Sequence, residues 1–223
     1  ITVPLAGAIF DWDGVVIDSS SLHEESWELL ARELGKSLPS DHFKKGFGKR
    51  NAVIIPEILG WSDDPSEIDA WGKRKEELYR IMGVERGIPL LPGIREFLTS
   101  LTGEGVPCVI GTSTERANLE LAFEQHGIGD FFEGAVCSED VTKGKPDPEV
   151  FLKATRIIGA NPTECVVLED SAHGIQAAVL GGMKGLGLAT TRPMADLFEA
   201  GAHTVVEGSQ DLSIDLLESL FQS

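Results

Sequence analysis

The sequence predicts an α/β fold, a doubly wound parallel sheet with helices on both faces, and three observations predict it. Short apolar runs recur at residues 7–10, 107–111, 165–168 and 184–188 and read as buried strands. Helical patterns fall between them, and strand–helix alternation is the mark of a parallel sheet. Several runs end in carboxylates or hydroxyls, as the carboxyl edge of such a sheet does when it carries a ligand site.

The first strand, 7–10, leads into Asp11-Trp12-Asp13-Gly14. Ionised carboxylates at the tip of a core strand need partners. Two readings stay open on this segment alone: a turn, since Asp and Gly are turn formers, or a metal or phosphoryl-transfer site. For Trp12, between the two acids, two readings stay open: packing under the loop or stacking near the hinge.

From 19 to 88 the alternation breaks. Residues 22–34, 41–47, 52–59 and 65–81 read as helices with no strand among them. The expectation is an all-helical domain, 19–88, inserted into an α/β core of 1–18 and 89–223. Its exits, 18–21 and 87–93, are rich in turn residues.

The alternation then resumes. Residues 94–101 form a helix with apolar positions 94, 97, 98 and 101. The strand at 107–111 delivers Thr112, Ser113 and Thr114, with a helix over 116–123 behind them. Residues 134–137 and 203–206 add edge strands. Lys145 stands just before a helix over 148–158. The strand at 165–168 delivers Glu169, Asp170 and Ser171, and a helix over 171–180 follows. Beyond the strand at 184–188, Thr191-Arg192-Pro193 reads as loop.

Composition narrows the function. The chain has 223 residues and a formal net charge of −17. That surface repels nucleic acid and anionic membranes, so neither is expected as a partner. It also repels phosphorylated substrates, so a phosphate site must be locally basic. Cys108, Cys137 and Cys165 lie far apart without metal-ligand spacing and read as reduced core thiols. A reducing, cytoplasmic location and a monomer are expected. No run of about twenty apolar residues is present. The start shows no secretory pattern and no Met, so residues are expected ahead of Ile1.

Taken singly, Thr112 and Ser113 read as turn residues, Lys145 as a surface lysine, and Glu169 and Asp170 as acids favoured by a helix dipole. Collected at one edge of one sheet, they make a phosphate and magnesium site. Magnesium takes oxygen ligands, commonly one or two carboxylates with phosphate and water. Hydroxyls, amides and a lysine hold phosphate oxygens.

The ordered set Asp11-Trp12-Asp13-Gly14, Thr112, Lys145-Pro146 and Glu169-Asp170 resembles the haloacid dehalogenase superfamily in its phosphatase branch, over nearly the whole chain. The group it is most similar to holds the β-phosphoglucomutase-like enzymes and sugar-phosphate phosphatases. The resemblance implies a Rossmann-like core and makes the insert a cap domain. It implies a magnesium-dependent phosphatase acting on a small phosphorylated metabolite, a sugar or polyol phosphate. Asp11 becomes the nucleophile that forms an aspartyl-phosphate. Asp13 becomes the general acid and base, with its carbonyl on magnesium. Asp170 completes the metal ligands, with Glu169 beside or outside them. Lys145 offsets the charge of Asp11 and phosphate, Thr112 and the Ser113 amide hold phosphate oxygens, and Thr114 is expected among the substrate contacts. Asp13 sets aside the dehalogenase and phosphonatase branches, whose leaving groups need no proton.

In the cap, the same resemblance points to His23, to Lys49 and Arg50 after Gly46-Phe47-Gly48, and to Lys75 of Lys73-Arg74-Lys75. His23 also reads as a polar surface residue, and 73–75 as a solvated face. One alternative function is a β-phosphoglucomutase-type mutase, which must hold a second phosphate. Where those mutases offer Ser-Lys-Asn-type contacts, this chain has Thr114-Glu115-Arg116, and Glu115 repels a second phosphate unless Arg116 turns inward. A non-catalytic phosphometabolite-binding module is the reading from another class; it predicts a replaced signature residue, and none is replaced.

Overall fold

The computed structural model describes residues 4–222; the expectation about the start of the chain lies outside them. Six parallel strands form one sheet in the order β3-β2-β1-β4-β5-β6. They are β1 (Gly7–Phe10), β2 (Cys108–Gly111), β3 (Ala135–Val136), β4 (Cys165–Glu169), β5 (Lys184–Leu188) and β6 (Thr204–Val206). β1 is central: Ile9 pairs with Val109 of β2 on one side and Val167 of β4 on the other. The chain reverses its direction of winding between β1 and β4. That switch point opens a crevice at the carboxyl edge, and Asp11 and Asp170 flank it.

The sheet is buried on both faces. Ala8 and Phe10 point into one core, with Leu98, Leu101 and Leu168. Ile9 points into the other, with Val109, Phe151 and Val167. Alternation along one strand thus fills two layers. Gly111 has no side chain because a Cβ there meets the Phe151 ring at 2.8 Å.

Helices α1 (Ser20–Leu34), α2 (His42–Gly46), α3 (Asn51–Val53) and α4 (Pro65–Arg86) lie between β1 and β2. They hold an apolar cluster of their own around Trp27, Leu30, Ile55 and Leu78. Their two connections to the core run side by side: Asp18 N donates to Pro89 O at 2.8 Å and Leu91 N to Val16 O at 3.0 Å. α4 starts sharply because the Asp64 side chain accepts from Ser66 N and Glu67 N, with Pro65 at its first turn. The helix expected at 52–59 becomes α3 plus a π-helical turn, Ile54–Ile58. Pro56 has no N–H to donate and its ring crowds the carbonyl four residues back, so the turn widens.

The core helices are α5 (Ile94–Gly103), α6 (Arg116–His126), α7 (Glu149–Ile157), α8 (Ala172–Leu180), α9 (Met194–Glu199) and α10 (Ile214–Ser219). The sequence reading contained no α9 or α10. Each has six residues and a single buried apolar side chain, Leu197 or Leu217, too little to show a period. Among the described residues no helix is long and apolar enough to cross a membrane.

Candidate active site

β1 ends in Phe10, so the next side chains alternate at the crevice. Asp11 and Asp13 turn towards it, both nearly buried, and Trp12 turns the other way into the core. There Trp12 meets Phe123 edge-on at 5.5 Å and Phe132 at 6.3 Å. Its role is packing beneath the loop. Gly14 follows with φ +76, and a Cβ on it collides with the Asp170 carboxylate. Glycine therefore lets the first loop close against the fourth strand.

Asp11, Glu169 and Asp170 form one acidic cluster, all buried, with carboxylate oxygens within 4.8 Å of one another. Lys145 is the cation among them. Its Nζ lies 3.0 Å from Asp11 Oδ1 and 2.6 Å from Glu169 Oε1. Burial favours the neutral amine, but the two carboxylates outweigh it and hold Lys145 above the usual lysine range. Glu169 is held on both oxygens: its second oxygen accepts from Ser171 N and Ser171 Oγ, each at 2.8 Å. Asp170 accepts from Thr191 Oγ1, so the segment read as loop supplies a partner to the site.

Three carboxylates face one ammonium. Burial, then the charge of Glu169, push Asp11 up from 3.8 to about 7 against the pull of Lys145. Burial and the charges of Glu169 and Asp11 push Asp170 well above its usual range. This uncompensated charge, on hard oxygen donors, fits a divalent cation such as magnesium.

Asp13 has a different environment. Its carboxylate accepts from Ser19 Oγ at 2.5 Å, from His23 Nε2 at 2.9 Å and from Thr114 Oγ1. Burial alone raises a carboxyl, yet His23 and these hydroxyls outweigh it and hold Asp13 below the usual range. Thr112 is buried and its Oγ1 accepts from Thr114 N at 3.1 Å, fixing the turn after β2.

Above Asp11 and Asp13 lies a cavity of about 560 Å³ between the sheet edge and the helices of 20–86. Thr112, Ser113, Thr114, His23, Arg50 and Lys75 all line it. His23 is no surface residue: it stacks on Tyr79 with centroids 4.3 Å apart. Of the basic run 73–75, Lys73 and Arg74 pair outward with Asp69 and Glu33. Lys73 stays exposed at the cavity's rim, whereas Lys75 is buried, 2% exposed, with its Nζ 2.6 Å from His23 Nδ1. Arg50 Nη1 reaches Thr142 O at 3.3 Å, tying this wall of the cavity to the core.

Arg116 does not join the cavity. Its guanidinium pairs with Asp140 at 2.6 Å and with the Ala135 carbonyl, because those acceptors lie beside the start of α6, away from the crevice. Glu115 does line the cavity, and it pairs with Arg80 at 3.4 Å. Sequence reading missed Ser19, Glu76, Asn118 and Thr191. Ser19 lies in an exit turn that carried a composition signal only, and the other three carry no motif.

A family model described as haloacid dehalogenase-like hydrolase matches residues 5–182. The chain is 38% identical over 218 residues to the chloroplastic 5-amino-6-(5-phospho-D-ribitylamino)uracil phosphatase of Arabidopsis thaliana, covering 96% of this chain and 57% of that one. It therefore spans less than two thirds of that relative's length. It is 30% identical over 178 residues to the fructose-1-phosphate phosphatase YqaB of Escherichia coli, covering 80% of this chain and 93% of the other. A β-phosphoglucomutase crystal structure from Clostridium difficile has the same fold, with a TM-score of 0.85, 22% identity and 97% of each chain covered.

Proposed function

Since the chain belongs to the haloacid dehalogenase-like hydrolase family, we propose that it is a magnesium-dependent phosphatase. It acts as a monomer on a small phosphorylated metabolite through an aspartyl-phosphate on Asp11. One observation carries the reading: two carboxylates two residues apart sit in opposite environments. Asp11 faces Lys145 and the acidic cluster, and Asp13 accepts from Ser19, His23 and Thr114. Such a pair divides attack from proton transfer.

The domain reading goes with it: a core of 1–18 and 89–223 and a cap of 19–88. Asp11 and Asp170, with Glu169 beside them, are the residues to hold magnesium, which when bound neutralises carboxylate and phosphate charge. Lys145 keeps an Asp11 oxygen oriented and adds a second positive charge beside the phosphate. Thr112, Ser113 and Thr114 stand where phosphate oxygens need donors. Asp11 attacks phosphorus and the bond to the ester oxygen breaks. An alkoxide is a poor leaving group, so Asp13 gives it a proton. A bound dianion beside Asp13 raises its affinity for that proton. Asp13 then takes a proton from the water that hydrolyses the aspartyl-phosphate, which returns Asp11 and releases inorganic phosphate.

Phe43, Phe47 and Trp27 line the cavity beside Lys49 and Arg50. That lining suits a leaving group with hydroxyls and an apolar face. A ribityl phosphate bearing a heterocycle, as in the name of the A. thaliana relative, is therefore the first ester to try, with fructose 1-phosphate second. The mutase reading needs a second phosphate site. Against it stand Glu115 in the cavity and Arg116 paired elsewhere.

The test is phosphate release with magnesium from these esters and both anomers of glucose 1-phosphate, with and without a sugar bisphosphate primer. Steady release from one or a few monophosphates is the expected result. Glucose 6-phosphate from the β anomer after priming, with little free phosphate, makes the chain a mutase. No release from any ester leaves the non-catalytic reading.

A further inference from the structure

Asn118, on the core helix α6, is 1% exposed, and its side chain spends both polar ends on the cap helix α4. Its Nδ2 donates to Glu76 Oε2 at 2.7 Å, and its Oδ1 accepts from Arg80 Nη1 at 2.9 Å. Glu76 and Arg80 stand four residues apart, one turn along one face of α4. Glu76 Oε1 in turn accepts from Lys75 Nζ at 3.0 Å and from Asn51 Nδ2 at 2.8 Å. An ammonium has donors only. The 2.6 Å contact from Lys75 Nζ to His23 Nδ1 therefore requires the lone pair on Nδ1. The ring proton sits on Nε2, which faces Asp13 Oδ1 at 2.9 Å.

The path leaves the core at Asn118, crosses the cap through Glu76, Lys75 and His23, and re-enters the core at Asp13. It crosses the boundary twice, and any separation of α4 from α6 breaks it. We infer that Asn118 is a positioning residue for the reaction. It is the core-side dock that seats Glu76 and, through Lys75, sets His23 as the Nε2–H donor to Asp13. The inference rests on the reading of Asp13 as acid and base. Without the amide, one oxygen of Glu76 is left unpaired in a buried site and the carboxylate must turn, taking Lys75 with it.

The test uses Asn118→Leu and Asn118→Asp. The first removes both hydrogen bonds, and the second keeps the size but sets a like charge against Glu76. Hydrolysis of an alkyl phosphate is compared with that of 4-nitrophenyl phosphate, whose leaving group needs no proton. In both variants kcat on the alkyl ester falls about tenfold or more, and on the aryl ester less than about threefold. Amide exchange rises along α4 and stays unchanged in β1 and β4. Equal losses on the two esters, or unchanged α4 exchange, overturn the inference. If the leucine variant does not fold, the aspartate variant decides. A wild type that hydrolyses neither ester sinks the phosphatase reading separately, and α4 exchange then still supports or refutes the dock.

Discussion

At the scale of the residue, the site divides one kind of group into two. Asp11 carries an excess of negative neighbours, and Asp13 accepts from Ser19, His23 and Thr114. Asp11→Asn keeps the shape and removes the proposed nucleophile. Phosphate release is expected to vanish while thermal unfolding shows a folded protein; surviving turnover means that another group attacks. Asp13→Ala is expected to slow alkyl phosphates by about 10²–10⁴ and aryl phosphates far less, the reach of one general acid. Equal loss on both classes assigns Asp13 to binding instead. Trp12 makes neither kind of contact. It is fully buried against Phe123 and Phe132, so Trp12→Ala costs about 3–5 kcal/mol, read from urea unfolding.

At the scale of the element, strand ends and helix starts meet across glycine. A Cβ on Gly174, in the first turn of α8, lands on the Glu169 carboxylate. Gly174→Ala is expected to push Glu169 from Lys145, lowering kcat and raising the magnesium needed for half-maximal rate. A loss of stability with unchanged kinetics counts against Glu169 as the residue that orients Lys145. α4 carries the opposite device, a strong start. Asp64→Ala removes the acceptor of Ser66 N and Glu67 N and costs about 0.5–2 kcal/mol in denaturant unfolding.

At the scale of the whole molecule, the buried acidic cluster links stability to pH and to metal. Asp11 binds its proton more tightly folded than unfolded, with a value moved from 3.8 to about 7. Between those values the unfolded chain has released a proton that the folded chain retains. Metal-free stability therefore falls as pH rises from about 4 to about 7 and levels off above. Asp170, also raised, adds to the same slope. Melting temperatures in a chelator are expected to show this decline, Asp11→Asn to flatten it, and magnesium to reverse it most at the alkaline end. A slope in the Asp11→Asn variant equal to that of the wild type assigns the effect to other groups.

The strands, most of the helices and the ordered acids, hydroxyls and lysine were legible in the sequence, because each follows from local chemistry. Burial on both faces selects apolar runs, and a strand that ends at a ligand edge ends in polar groups. Asp11, Asp13, Thr112, Lys145, Glu169 and Asp170 are recognisable at their spacing for that reason. Only the tertiary structure decided which way a side chain turns and which residues meet across the chain. His23 and Lys75 turned inward, Arg116 turned to Asp140, and Ser19, Glu76, Asn118 and Thr191 entered the site without a motif. The separations explain it: Glu76 and Asn118 lie 42 residues apart and Asp13 and Thr114 lie 101 apart. A contact made by folding two distant segments together leaves no pattern in either segment alone.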